Sequence, residues 1–184
     1  MFRVLWVVPH GPVNASVWRR KAVASMSAEA DPAVVWLQGF LHAFEWFNHK
    51  ANYGAVLTLN ILPKPGTVRQ AIEEHIGDDV ENLVLTPVED WPGFVRALLG
   101  RWLFQFDDPS WPHLEDPRAS FSLFQDHSRG VMLDGVMSRL AEAVRPTAVW
   151  TVQVETRGGY ECGYEDVAFE EPERVLYLHA GWSD

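Results

Sequence analysis

The stretch from Thr147 to Trp182 constrains the fold most. In Ala148 to Glu155, Trp150, Val152 and Val154 alternate with Thr151, Gln153 and Glu155. Side chains in a strand point to opposite faces in turn, so this pattern predicts a strand with one face buried. Arg157-Gly158-Gly159 follows and reads as a hairpin turn, because glycine reaches positive φ without steric cost. Tyr160 to Glu165 alternates again, and Glu171-Pro172-Glu173 reads as a second turn. Arg174 to Ala180 is apolar on both faces, which suits a strand inside a sheet. The three segments predict an antiparallel meander.

The preceding segments supply helices and further strand. Asp31-Pro32 is a helix start, with Asp as the cap and Pro in the first turn, and the helix extends to about Lys50. On its wheel Trp36, Leu37, Phe40, Leu41, Phe44 and Phe47 share a broad face taken as the buried one. Gln38, His42, Glu45 and His49 form the opposite stripe, flanked by Val35 and Trp46. Ala55 to Leu62 reads as a strand, Val68 to Ile76 as a short helix capped by Thr67, and Asn82 to Thr86 as a brief apolar run. Helices are also expected from Trp91 to Phe104 and from Ser128 to Val144. Phe2 to Val8 suits a strand and Ser16 to Met26 a short basic helix, while three prolines and four acids make Asp107 to Pro117 a surface loop carrying Trp111.

These elements add up to a single α+β domain over 1–184. Its antiparallel sheet is the C-terminal meander plus one or two earlier strands, with three to four helices covering one face. An α/β arrangement is the alternative, since strand and helix alternate from Ala55 to Phe104.

Charge narrows the partners. The chain carries 25 acids against 15 Lys and Arg, a net charge of −10. That argues against nucleic acid as the partner, because phosphate neutralisation needs clustered Lys and Arg, and suits a basic protein partner instead. Eight acids face Arg157 and Arg174 in the segment from Glu155 to the end, while Arg3, Arg19, Arg20 and Lys21 make the first thirty residues basic. One cysteine, Cys162, permits no intrachain disulfide and favours a reducing compartment, the cytoplasm. The opening run MFRVLWVVPHGP is too short for a secretory signal, and no stretch of about 18 apolar residues is present to span a membrane.

Catalytic motifs are missing from the sequence. No serine lies in G-x-S-x-G, Arg157-Gly158-Gly159 lacks the Lys-Ser/Thr of a phosphate loop, and the spacing of His42, Glu45 and His49 is not HExxH. Those three share a helical stripe, so they are the candidate metal ligands, and His10 between Pro9 and Gly11 is a candidate general base. No cofactor is expected. The acidic aromatic end carries the main functional expectation. Tyr160, Glu161, Tyr164, Glu165, Asp166, Glu170 and Glu171, with Trp111, are read as an outward surface whose rings anchor and whose carboxylates attract a basic protein. A bacterial immunity protein, which inhibits a toxin, has these traits in kind: small, acidic, aromatic, without a catalytic motif. The expected particle is a monomer or homodimer. The alternatives are an enzyme using His42, Glu45 and His49 or His10, and a self-associating adaptor using Val35 and Trp46.

Overall fold

The computed structural model describes residues 31–49, 54–105 and 126–182. The expected strand at Phe2 to Val8, the helix at Ser16 to Met26, His10 and the Trp111 loop lie outside them. The described chain runs α1 (Pro32–Asn48), β1 (Ala55–Pro63), α2 (Val68–Ile76), β2 (Val80–Pro87), α3 (Trp91–Trp102), α4 (Asp126–Ala143), β3 (Ala148–Thr156), β4 (Gly163–Glu170) and β5 (Arg174–Trp182). The fold is α+β with one five-stranded antiparallel sheet in the order β1-β5-β4-β3-β2.

Local chemistry sets the helix starts. The Asp31 carboxylate accepts the Ala33 N–H at 3.0 Å and Pro32 opens α1. Thr67 and Gln70 exchange side-chain and backbone hydrogen bonds in a capping box at α2. Gly77 ends that helix at φ 106°, a conformation that disfavours side chains other than glycine. Asp90 caps α3 through the Gly93 N–H.

The meander forms as expected, with two earlier strands at its flanks. β5 pairs with β1 on one side and β4 on the other, which explains its apolar residues on both faces. The second strand of the meander is shifted from expectation. It spans Gly163–Glu170 rather than starting at Tyr160, because Val152 aligns with Asp166 and the connection from Arg157 to Cys162 folds back over the sheet. β4 is therefore the central strand.

α1, α3 and α4 pack on one face through Val34, Leu37, Leu41, Val95, Leu98, Val136 and Leu140, against Leu57, Leu59, Val167, Phe169, Leu176 and Leu178. α2 crosses the other face, where Val68, Ile72 and Ile76 meet Leu83, Val152, Val154, Ala168 and Tyr177. Three helices thus share one face as expected, and the fourth joins the two edge strands across the opposite face.

α1 is rotated relative to the reading of its wheel. Its buried residues are Val34, Leu37, Leu41, Phe44, Glu45 and Asn48, while Trp36 and Phe47 are 44% and 42% exposed. The polar stripe turns inward for a reason. β1 is an edge strand, with backbone groups left over on its outer side. Gln38 Nε2 donates to the Leu59 carbonyl at 2.9 Å, the Leu57 N–H donates to Glu45 Oε2 at 3.3 Å, and His49 Nε2 lies 2.9 Å from the Ala55 carbonyl oxygen. Three side chains spaced along α1 thus occupy the free edge. His42 is the member of the stripe that points outward, 3.9 Å from Glu45 Oε1.

Removing the Glu45 acceptor strands a buried N–H, at a cost of ~1–3 kcal/mol. Glu45→Ala is expected to lower stability in urea by that amount and to speed exchange of the Leu57 amide. Glu45→Gln keeps an acceptor and is expected to retain most of the protection. Equal Leu57 exchange in wild type and Glu45→Ala would show that the edge is held by something else.

Candidate functional site

The β4–β5 register places Asp166 opposite His179, Ala168 opposite Tyr177 and Tyr164 opposite Gly181. Residues two apart share a face, so Tyr164, Asp166, Tyr177 and His179 meet on the α2 side of the sheet. Asp166 is 3% exposed. Its Oδ1 lies 2.6 Å from His179 Nδ1, and its Oδ2 accepts the Tyr177 hydroxyl at 2.6 Å. His179 Nε2 lies 3.3 Å from Glu161 Oε1, in the folded-back connection. The imidazole is thus held between two carboxylates. The Tyr160 ring packs edge-on against Tyr164 at 4.7 Å and His179 at 5.9 Å, and His75 of α2 meets Tyr177 at 5.6 Å. The Tyr164 hydroxyl donates to the Val154 carbonyl and accepts the Val154 N–H, at 2.8 and 2.9 Å.

Electrostatics follow from this packing. Burial disfavours a charged imidazole, but hydrogen bonds to Asp166 and Glu161 and their charges outweigh it, raising the His179 pKa to about 10. Both ring N–H groups then donate to carboxylates. Burial and the Asp166 charge hold the Tyr160 and Tyr177 hydroxyls well above the usual phenol range. Gly181 makes room for the second carboxylate. A Cβ there would collide with Glu161 Oε2, an oxygen with no hydrogen-bond partner among the described residues.

Chemically, the cluster is closed. Both nitrogens of His179 are taken by carboxylates, so no lone pair or free proton faces a substrate. It acts as an internal latch that fastens the Arg157–Cys162 connection to β5.

This arrangement revises the expected outward hairpin. Asp166 and Glu171 are buried, and Tyr160, Glu161 and Tyr164 lie half-buried on the sheet. Glu165 takes a two-point contact from Arg101 at 3.0 and 2.5 Å and a third bond from the Trp102 indole. The Glu165 bond also holds the Arg101 guanidinium pKa above its ordinary value. Glu170 accepts from Lys64 and from Trp150 Nε1. Glu170 remains below the usual carboxylate range, because these two donors outweigh its burial. Glu171 receives the Arg145 N–H at 2.7 Å and Arg174 Nε at 2.6 Å. The physical reason is the strand order: β4 sits in the middle of the sheet, so Asp166 is enclosed between neighbouring strands while Glu165 meets Arg101 at the surface. Trp111 lies outside the described residues.

The metal candidates do not converge, since Glu45 and His49 are committed to the β1 edge. Among the described residues, no group of three His, Cys, Asp or Glu side chains is placed to hold a metal ion.

Two exposed surfaces remain, and of these the sequence reading had singled out only part of the second, Val35 and Trp46. The first is an acidic corner where α2 meets β2. Glu73, Glu74, Asp78, Asp79 and Glu81 fall within nine residues, and Asn82 Nδ2 brings Glu155 beside them at 3.3 Å. Arg69 pairs with Glu73 and Arg157 with Glu81, each at 3.4 Å, whereas Glu74, Asp78 and Asp79 are exposed. An open hollow of about 380 Å³ is lined there by Arg69, Glu73, Glu74, Asp78 and Glu81. The run Glu73 to Glu81 was the signal for it. The second is the outward face of α1.

Compared with known proteins, the chain matches no family model, no curated protein and no solved structure. No helix among the described residues is long and apolar enough to cross a membrane.

The latch predicts an alkaline limit. A group whose pKa rises on folding stabilises fully below its unfolded value and loses that contribution as pH climbs to the folded value. For His179 the window runs from about 6.5 to about 10. The unfolding free energy of the wild type in urea is expected to decline across it, by at most about 1.4 kcal/mol per pH unit. His179→Gln is expected to be less stable at neutral pH and to lack that decline. Parallel pH profiles for the two proteins would refute the charged latch.

Proposed function

We propose that the protein is a small acidic binding module that docks a basic protein partner and masks it, in the manner of an immunity-type inhibitor. The observation that carries this reading is the sorting of charge. Asp166, Glu170 and Glu171 are paired within the fold and Glu165 with Arg101 at its surface, while Glu74, Asp78 and Asp79 gather exposed at one corner. The carbonyl end of α2 points into the same corner and adds partial negative charge. Such a field draws a cationic partner from a distance and sets the rate of encounter. A shallow polar hollow suits Lys and Arg side chains better than a buried small molecule. The lone cysteine fits action in a reducing compartment such as the cytoplasm.

The test uses a partner recovered from the producing cell by cross-linking and then purified. Glu74→Lys/Asp78→Lys/Asp79→Lys is expected to slow association by about tenfold or more at low ionic strength, with dissociation changed by no more than about twofold. The control Glu89→Lys/Glu173→Lys, at exposed acids elsewhere, is expected to have a smaller effect. An acidic partner, or association indifferent to both salt and the triple substitution, would remove this reading.

A further inference from the structure

The outward face of α1 is apolar from end to end. Val35 and Trp36 are exposed at one end and Trp46 and Phe47 at the other, with Trp46 at 70%. Gly39 and Ala43 lie exposed between them, and a Cβ built on Gly39 would meet nothing within 4 Å among the described residues. This face thus has bulky ends and a notched middle.

We infer that two copies of the chain pair through this face, their α1 helices antiparallel. Antiparallel pairing about the middle of the helix sets Trp36 against Trp46 of the second copy and Gly39 against Ala43. The large residues of one copy fall on the large residues of the other, and the small positions coincide where the axes approach most closely. Such self-complementarity is what a two-fold interface requires. The residues at 35, 36, 39, 43, 46 and 47 recur at helical spacing, so they form one continuous strip.

Charge limits where two copies can meet. Each chain carries −10, so copies repel through most of their surfaces. The α1 strip itself bears no carboxylate; His42 flanks it, and Arg139, paired with Glu142, lies over the Trp36 ring at one end. A basic partner is drawn instead to the α2–β2 corner, at the opposite edge of the sheet. Area agrees. Val35, Trp36, Trp46 and Phe47 expose about 400 Å² per copy, taking the full area of large side chains as roughly 150–250 Å² each. Two copies, with Gly39, Phe40, His42 and Ala43 added, approach the lower bound of roughly 1,200 Å² for specific interfaces.

The pairing leaves the two acidic corners at the far ends of the dimer and does not depend on the partner proposed above. Sedimentation of the full chain at tens of micromolar is expected to give twice the 20.9 kDa chain mass. Trp46→Glu and Ala43→Glu each change an exposed residue and are expected to give the single-chain mass while keeping the wild-type circular dichroism spectrum. Register is read by cross-linking with Cys162 replaced by Ser. A mixture of Gly39→Cys and Ala43→Cys chains is expected to oxidise to the mixed disulfide, while neither variant links to itself. A wild type of single-chain mass throughout the range, whether α1 is covered by another part of the chain or left bare, would overturn the inference. So would cross-linking of each variant to itself.

Discussion

A carboxylate lodged between packed strands needs its charge answered on the spot. Asp166 sits on the central strand, 3% exposed, and the fold around it supplies that answer. His179 from the neighbouring strand brings a positive charge and Tyr177 brings a hydroxyl. The second nitrogen of the imidazole recruits Glu161, and with it the whole Arg157–Cys162 connection. Removing one partner from a buried ion pair is costly, because the survivor keeps its desolvation penalty without compensation. Tyr160 is drawn over the cluster and completes the cover. One cross-strand pair therefore fixes the sheet register, the path of a loop and the burial of two tyrosines.

Both edges of the sheet are managed by polar chemistry, in different ways. At β1, α1 turns Gln38, Glu45 and His49 toward the free backbone and leaves tryptophans outside. At β2, a shift of register between Val80 and Asn82 and the surrounding acids discourage a foreign strand. The same two devices create the two exposed surfaces. Using its polar stripe on the edge strand turns the aromatic side of α1 to water. Concentrating like charge on the far edge prepares a field for something cationic.

Much of this architecture was legible in the sequence. Alternation from Ala148 to Glu155, the doubly apolar run ending at Ala180 and the Asp-Pro and Trp-Pro helix starts reported elements whose determinants are local. The site was less legible because its determinants are pairwise. Asp166 reads as one more surface acid until it is known that position 179, on the next strand, carries a histidine. Glu45 reads as solvent-facing until an edge strand is placed beside it. The wheel of α1 misled for the same reason: aromatic content suggests the buried side, but three unsatisfied backbone groups on β1 outweighed it. The acidic corner, by contrast, is written in one contiguous run, but a run of acids does not say which members a nearby arginine takes up, as Arg69 takes Glu73 and Arg157 takes Glu81.

The order of the strands carries a consequence for biosynthesis. β1 emerges early from the ribosome, yet its inner neighbour is β5, with Ala55 aligned to Trp182. Until β5 has been made, the Leu57 and Leu59 row has no strand to lie against, however complete the helices are. Closing so long a loop is entropically slow. From the making of β1 until β5 follows, the nascent chain therefore carries an unpaired apolar strand, and shielding that strand falls to whatever attends the growing polypeptide.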